Sequence, residues 1–132
     1  MSDVIVKESK IDGKGVFADR DFTKGEIVTK WNCSKTLTKT EAENASEEDK
    51  SYITFVKGRY TLLQPPEKYV NHSCNPNTTV KDFCDVAIRD ITKGEEITGD
   101  YSEDSPPDFV MQCNCGSKNC RGTIYCSIKK ES

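Results

Sequence analysis

Ten consecutive residues, Tyr69-Val70-Asn71-His72-Ser73-Cys74-Asn75-Pro76-Asn77-Thr78, hold the only histidine of the chain together with three asparagines and a cysteine. An imidazole near a thiol can bind a metal or move a proton, and carboxamides bind polar ligands. The same residues also suit a turn, because Asn, Ser and Pro are turn formers and Pro76 disfavours helix at Asn75. Downstream, Cys113-x-Cys115-x-x-x-x-Cys120 offers three soft ligands, with Gly116 giving the backbone freedom to wrap round one ion. Zinc takes four ligands, and by sequence distance Cys126 completes the set. Between these groups, Gly94-Glu95-Glu96-Ile97-Thr98-Gly99-Asp100-Tyr101 ends in an acid followed by a tyrosine. Nucleophile triads are not supported, since there is no second histidine and no Gly-x-Ser-x-Gly elbow.

The elements that must position these residues read as short strands. Val4-Ile5-Val6 is a first strand, and Gly13-Lys14-Gly15-Val16-Phe17-Ala18 is a turn entering a second. Arg20-Asp21-Phe22-Thr23-Lys24-Gly25-Glu26-Ile27 returns as Arg89-Asp90-Ile91-Thr92-Lys93-Gly94-Glu95-Glu96-Ile97, the same Lys-Gly turn used twice between strands. Glu26 to Trp31 continues as a strand. Thr38-Lys39-Thr40-Glu41 fits a capping box opening a short helix in a polar, solvated insertion. Ser51 to Val56 and Arg59 to Leu63 straddle Lys57-Gly58 and predict paired strands. Thr78 to Val80 and Asp85 to Arg89 are further strands, and Ser102 to Asp108 is an acidic, proline-bearing linker. The whole predicts a mainly β fold of several small sheets.

With 132 residues, 34% hydrophobic and 31% charged, and a mean hydropathy of -0.70, the chain predicts one domain with a lean core, the kind that a structural metal supports. Seven cysteines raise the question of disulfides, but the count is odd and Met1-Ser2-Asp3-Val4 lacks the apolar core of a signal peptide. A reduced, intracellular protein with a metal site is the expectation. No apolar run has membrane-spanning length. A net charge of -3 argues against direct nucleic-acid binding and suits a basic peptide better.

Asn71-His72-Ser73-Cys74, Asp100-Tyr101 and Cys-x-Cys-x-x-x-x-Cys, in that order, resemble the SET-domain protein lysine methyltransferases that carry a cysteine-rich post-SET tail. The likeness runs from about Gly13 to Gly122. It implies a SET domain over residues 1–102 and a linker with a zinc-binding post-SET tail over 103–132, as one folding unit. It also implies a C-terminal pseudoknot that brings Asn71-His72 to Asp100-Tyr101. Lys14, Gly15, Val16, Tyr69, Asn71, His72 and Tyr101 inherit contacts to S-adenosylmethionine, with Lys68 standing where relatives commonly carry arginine. Tyr101 inherits the catalytic hydroxyl, and Tyr52 resembles a second pocket tyrosine. The resemblance takes the fourth zinc thiolate from Cys74 rather than Cys126, giving a structural site of Cys74, Cys113, Cys115 and Cys120 that ties the tail to the Asn71-His72 segment.

The activity so implied is methyl transfer to the side-chain amine of lysine in a protein substrate, a histone tail being one candidate. A rival of another class is a catalytically silent, zinc-stabilised module that grips a basic peptide or partner protein. Two residues before Tyr101, where many relatives carry Phe or Tyr, this chain has Gly99: either the glycine serves a close backbone approach and Tyr52 or Tyr60 fills the gap, or the lysine channel lacks a wall and multiple methylation is predicted.

Overall fold

The Arg-Asp-x-Thr-Lys-Gly-Glu stretch that occurs twice in the sequence also meets itself in space. The computed structural model describes residues 3–11, 13–103, 110–112 and 120–125. Phe22 and Ile91 form an antiparallel bridge in which each N–H donates to the other's carbonyl at 2.8 Å. Lys24 N donates to Asp90 Oδ1 at 2.9 Å and Lys93 N to Asp21 Oδ1 at 2.8 Å, so each turn is held by the acid of the other copy. Inside each copy the same bonds recur: Thr23 N to Glu26 Oε2 and Thr92 N to Glu95 Oε1, both at 3.0 Å. Arg20 and Arg89 reach those glutamates at 3.0 and 3.2 Å. Gly25 and Gly94 both take φ of +95°, a conformation that glycine adopts at no steric cost. The repeated turn chemistry is thus one local two-fold arrangement, and its centre, Phe22 and Ile91, is buried.

From this centre the strands diverge into small sheets. The two strands expected from the first apolar run and the Gly-Lys-Gly turn, β1 (Val4–Glu8) and β2 (Lys14–Ala18), pair antiparallel. β3 (Ile27–Lys30) follows the first Lys-Gly turn. β4 (Thr36–Leu37) leads to helix α1 (Lys39–Glu43), and a second helix α2 (Glu47–Lys50) precedes the hairpin of β5 (Ile53–Val56) and β6 (Arg59–Leu62). A short 3-10 turn over Glu67–Tyr69 then delivers β7 (Asn71–His72). β8 (Thr78–Lys81), β9 (Cys84–Ala87) and β10 (Glu96–Gly99) complete this part, and β11 (Val110–Gln112) pairs with β12 (Thr123–Tyr125). The sheets run β1-β2-β10-β7, β3-β9-β8 and β4-β6-β5. The protein is mainly β, with few helices and several small sheets.

The core is lean, as composition predicts. It gathers Val4, Val16, Ala18, Phe22, Val28, Val70, Ala87, Ile91 and Ile97, with Tyr69 packed against it. Each large side chain buried here contributes roughly 1.5–3 kcal/mol, and the cluster sits under β2 and β10, the strands that carry the site.

The insertion shows where local signals succeed and where they stop. Thr38 caps α1 through a full capping box, with Glu41 N donating to Thr38 Oγ1 at 3.1 Å and Thr38 N to Glu41 Oε1 at 2.9 Å. α2 has no buried residue, so no apolar period announces it; Ser46 Oγ caps it by accepting from Asp49 N at 3.1 Å. Ser51 and Tyr52, read as the start of a strand, instead close the turn after α2, with Ser51 as its C-cap. No helix among the described residues is long and apolar enough to cross a membrane.

Candidate functional site

β10 runs beside β7 in parallel, Thr98 opposite Asn71 and Gly99 opposite His72, which joins stretches 27 residues apart in sequence. The loop after β7 is sewn to β10 by a side chain that imitates a strand. Asn77 Oδ1 accepts from Thr98 N at 2.9 Å, and Asn77 Nδ2 donates to Glu96 O at 2.8 Å. Thr78 Oγ1 donates to Thr98 O at 2.8 Å. Asn77 and Thr78 are buried, so these bonds also satisfy backbone groups that water cannot reach. Asn75-Pro76-Asn77 is therefore both the turn that its residue types predict and the support of a site.

The chain then brings Tyr101 onto the same segment. Tyr101 Oη donates to Val70 O at 2.6 Å, and Tyr101 N donates to His72 Nδ1 at 3.0 Å. The two rings meet edge to face, with centroids 5.3 Å apart. Because Nδ1 accepts, the neutral imidazole carries its proton on Nε2, which faces Cys74 Sγ at 3.4 Å. Burial holds the His72 pKa below its ordinary value; Asp100 opposes that shift and Arg121 adds to it. A buried histidine whose acceptor nitrogen is occupied by a backbone N–H orients its neighbours and is not placed to take a proton from substrate. For Asp100, burial raises the pKa, but hydrogen bonds from Ser102 and Arg121 outweigh it and hold the carboxyl low.

Lys14, Gly15 and Val16 lie at the start of β2, with Val16 buried in the core opposite Val6 and Ile97. Asn71 Nδ2 reaches this stretch, donating to Lys14 O at 3.0 Å, Ser9 Oγ at 3.1 Å and Glu96 Oε2 at 2.9 Å. A Cβ added to Gly15 would collide with Glu96 Oε2 and come within 2.9 Å of Ser9 Cβ, so the glycine is required by side chains packed on it. Tyr69 stands beside this stretch, with Lys14 Nζ 5.5 Å from its ring centroid. Tyr52 meets Tyr69 edge to face at 6.4 Å, and Lys68 Nζ lies 4.4 Å from the Tyr52 ring and 5.4 Å from the Tyr69 ring. The structure thus groups Tyr52 with Tyr69 and Lys68, while Tyr101 is grouped with His72 and Val70.

Cys74 meets the C-terminal segment. Arg121 donates to Cys74 Sγ from its backbone N at 3.2 Å and from Nε at 3.4 Å, and its Nη2 lies 2.8 Å from Asp100 Oδ1. Ser102 N and Oγ donate to the same Asp100 oxygen at 3.0 and 2.7 Å. Cys120, next to Arg121, is exposed. Cys113, Cys115 and Cys126 lie outside the described residues, and among those that are described no three potential ligands form a metal-binding group.

Three residues of this arrangement carry no sequence signal of their own. Ser9 precedes the glycine turn as an ordinary polar residue, Glu96 reads as the last acid of a surface turn, and Arg121 follows a cysteine motif in which only the thiols draw notice. Each is identified only by its partner across the fold.

A family model described as SET domain matches residues 13–102. The chain is 31% identical to the human protein named histone-lysine N-methyltransferase 2D, over 91% of the chain and 2% of that protein. It is 32% identical to the Drosophila melanogaster histone-lysine N-methyltransferase trr, over 91% of the chain and 6% of the relative. A Cryptococcus neoformans histone-lysine N-methyltransferase, H3 lysine-36 specific, is 31% identical over 76% of the chain and 13% of its own length. The chain therefore spans only a small part of these curated relatives.

Proposed function

The chain belongs to the SET-domain family, and from that premise we propose that it is an S-adenosylmethionine-dependent methyltransferase acting on the side-chain amine of lysine in a protein substrate. The observation that carries this reading is the meeting of Asp100-Tyr101 with Val70-Asn71-His72 through the Tyr101 Oη to Val70 O bond of 2.6 Å and the Tyr101 N to His72 Nδ1 bond of 3.0 Å. The parallel β7 and β10 pair supports the pseudoknot that the family implies.

S-adenosylmethionine, when bound, supplies a methyl group on a positively charged sulfur. The lysine amine must reach it neutral, and a free lysine with a pKa of about 10.4 is almost wholly protonated at pH 7. A narrow, partly apolar channel favours the neutral amine by desolvation, and a nearby positive charge adds to that. Tyr101 orients the amine. With its proton directed at Val70 O, the phenol oxygen acts as acceptor toward a third group, which suits a substrate N–H and aims the nitrogen lone pair away from the ring. His72 and Asp100 hold Tyr101 by its backbone and by the turn that follows it. Lys14, Gly15, Tyr69, Asn71 and His72 stand on the cofactor side with the fully buried Val16 packed behind them, and Tyr52 with Lys68 forms the neighbouring wall.

Of the four thiols of the proposed post-SET zinc site, Cys74 and Cys120 are among the described residues. Cys74 Sγ receives donors from Arg121, the residue after Cys120, and this contact supports a shared tetrathiolate of Cys74, Cys113, Cys115 and Cys120. Four thiolates would close the ion to water and give it a structural role, fixing tail to site. Relatives are named for different histone lysines, H3 lysine-36 in Cryptococcus neoformans and H3 lysine-9 in Fusarium mangiferae, so a histone tail is the proposed substrate class without a chosen position.

Thermal unfolding with S-adenosylmethionine or S-adenosylhomocysteine tests the cofactor half of the proposal. A ligand that binds only the folded state adds about 2.7 kcal/mol of stability at 100 Kd and must raise the melting temperature as its concentration rises through Kd. No shift at millimolar ligand would remove the methyltransferase reading and favour the silent binding module.

A further inference from the structure

Glu96 points from β10 toward both segments proposed to hold the cofactor. Ser9 Oγ lies 2.8 Å from each of its carboxylate oxygens, and Asn71 Nδ2 lies 2.9 Å from Oε2. The direction of these bonds follows from Ser9: its oxygen accepts from Ile11 N at 3.0 Å and from Asn71 Nδ2 at 3.1 Å, so its single proton goes to Glu96. Two neutral donors thus serve a carboxylate that has about four acceptor sites. Among the described residues, no lysine or arginine forms an ion pair with Glu96, although Arg20, Arg89 and Arg121 all pair with other acids.

A half-buried carboxylate with only neutral donors pays part of its desolvation without a compensating charge. That arrangement is sound where the cation arrives with a ligand. Glu96 also crowds Gly15 so closely that no Cβ fits there, and it shares Asn71 Nδ2 with the Lys14 carbonyl, so it is built into the loop that enters β2. We infer that Glu96, held in place by Ser9 and Asn71, recognises the α-ammonium at the amino-acid end of S-adenosylmethionine. This rests on the methyltransferase reading and adds to it a specific ionic contact. The ammonium brings three donors to the carboxylate's remaining acceptor sites and supplies the missing positive charge. Ser9 is then a positioning residue, acting through Glu96 and Asn71 and lying outside the span matched by the family model.

Isothermal titration of the 132-residue chain tests this with S-adenosylhomocysteine and its deaminated analogue, which differ only in that ammonium. The wild type is expected to bind S-adenosylhomocysteine about 10- to 100-fold tighter than the analogue, the range of a charge-assisted hydrogen bond. In Glu96→Gln that ratio is expected to fall below about 3-fold through weaker binding of S-adenosylhomocysteine, with the analogue unchanged. Glu96→Asp, which keeps the charge one methylene farther off, is expected to recover part of the ratio. Equal wild-type affinities for the two ligands, a measurement that needs no variant, would overturn the inference and leave the methyltransferase reading intact. A full ratio in Glu96→Gln, or no recovery of it in Glu96→Asp, would do the same. Failure of the wild type to bind S-adenosylhomocysteine at all would remove both.

Discussion

Replacing Tyr101 by phenylalanine keeps the ring and removes one oxygen, so stability, cofactor binding and chemistry are expected to respond to different degrees. The ring contact with His72, 5.3 Å between centroids, survives the change, and the Tyr101 N to His72 Nδ1 bond does not involve the side chain. What is lost is the 2.6 Å bond to Val70 O, which leaves the carbonyl of a buried residue short of a donor. That costs about 1.5 kcal/mol. For a chain of 132 residues, an unfolding entropy of about 2.1 cal/mol/K per residue gives about 0.3 kcal/mol per degree, so Tm should fall by about 5 °C. S-adenosylhomocysteine affinity should stay within about 2-fold, because the role proposed for the hydroxyl is toward the amine and not the cofactor. Methyl transfer should fall by about 100- to 1,000-fold, the usual loss when one preorganised hydrogen-bonding group is removed from a reacting centre. Single-turnover kinetics with saturating cofactor reads the chemical step directly. A rate within 3-fold of wild type would refute the assigned role, and a parallel loss of cofactor affinity would move the hydroxyl from chemistry to binding.

Other outcomes follow from the same geometry. A Cβ built on Gly99 meets only Thr78 Oγ1 at 3.6 Å and Val70 Cγ1 at 3.9 Å among the described residues, so no aromatic ring atom of those residues comes within 4 Å of that position. The wild type should therefore carry peptide lysine to the di- or trimethyl state and Gly99→Tyr should stop earlier, as read by mass spectrometry over time; the same product spread in both would reject the idea. Cys74→Ser should release bound zinc, measured by atomic emission, while Cys126→Ser keeps it; the reverse pattern would assign the site to the tail alone. Asp21→Ala and Asp90→Ala each remove one cap of the two-fold turn pair, at 2.8 and 2.9 Å, and should each cost about 1 kcal/mol in urea unfolding with m unchanged. Unequal losses, differing by more than about 1 kcal/mol, would mean that the two turns are alike in form but not in energetics.

Local chemistry was readable from the sequence wherever a residue acts on its near neighbours. Thr38 and Glu41 announced their capping box, the Lys-Gly turns announced themselves twice, and Lys57-Gly58 separated two strands that do pair. The hairpin reading erred at its edge, because Ser51 and Tyr52 are β-prone by type yet are taken up by the turn after a helix with no apolar face. Long-range partners left no local trace. Nothing in the periodicity of residues 20–27 says that Asp21 caps residue 93, and nothing near Ser9 predicts a bond to Glu96, 87 residues away. Glu67 illustrates the same limit: no local pattern singles it out, yet it is buried and accepts from Asn32 N at 2.6 Å. The residues proposed to act in chemistry drew notice because their types are rare and clustered, whereas the residues that hold them are common and recognised only by contact.

The central claim is methyl transfer to a lysine amine, and it is tested most directly by incubating the protein with methyl-labelled S-adenosylmethionine and core histones or a cell lysate. The labelled proteins are then hydrolysed and the methylated amino acid identified. The account predicts label in methyllysine, reduced by about 100-fold or more with Tyr101→Phe. Cofactor binding without any labelled lysine, or equal labelling by wild type and Tyr101→Phe, would contradict it.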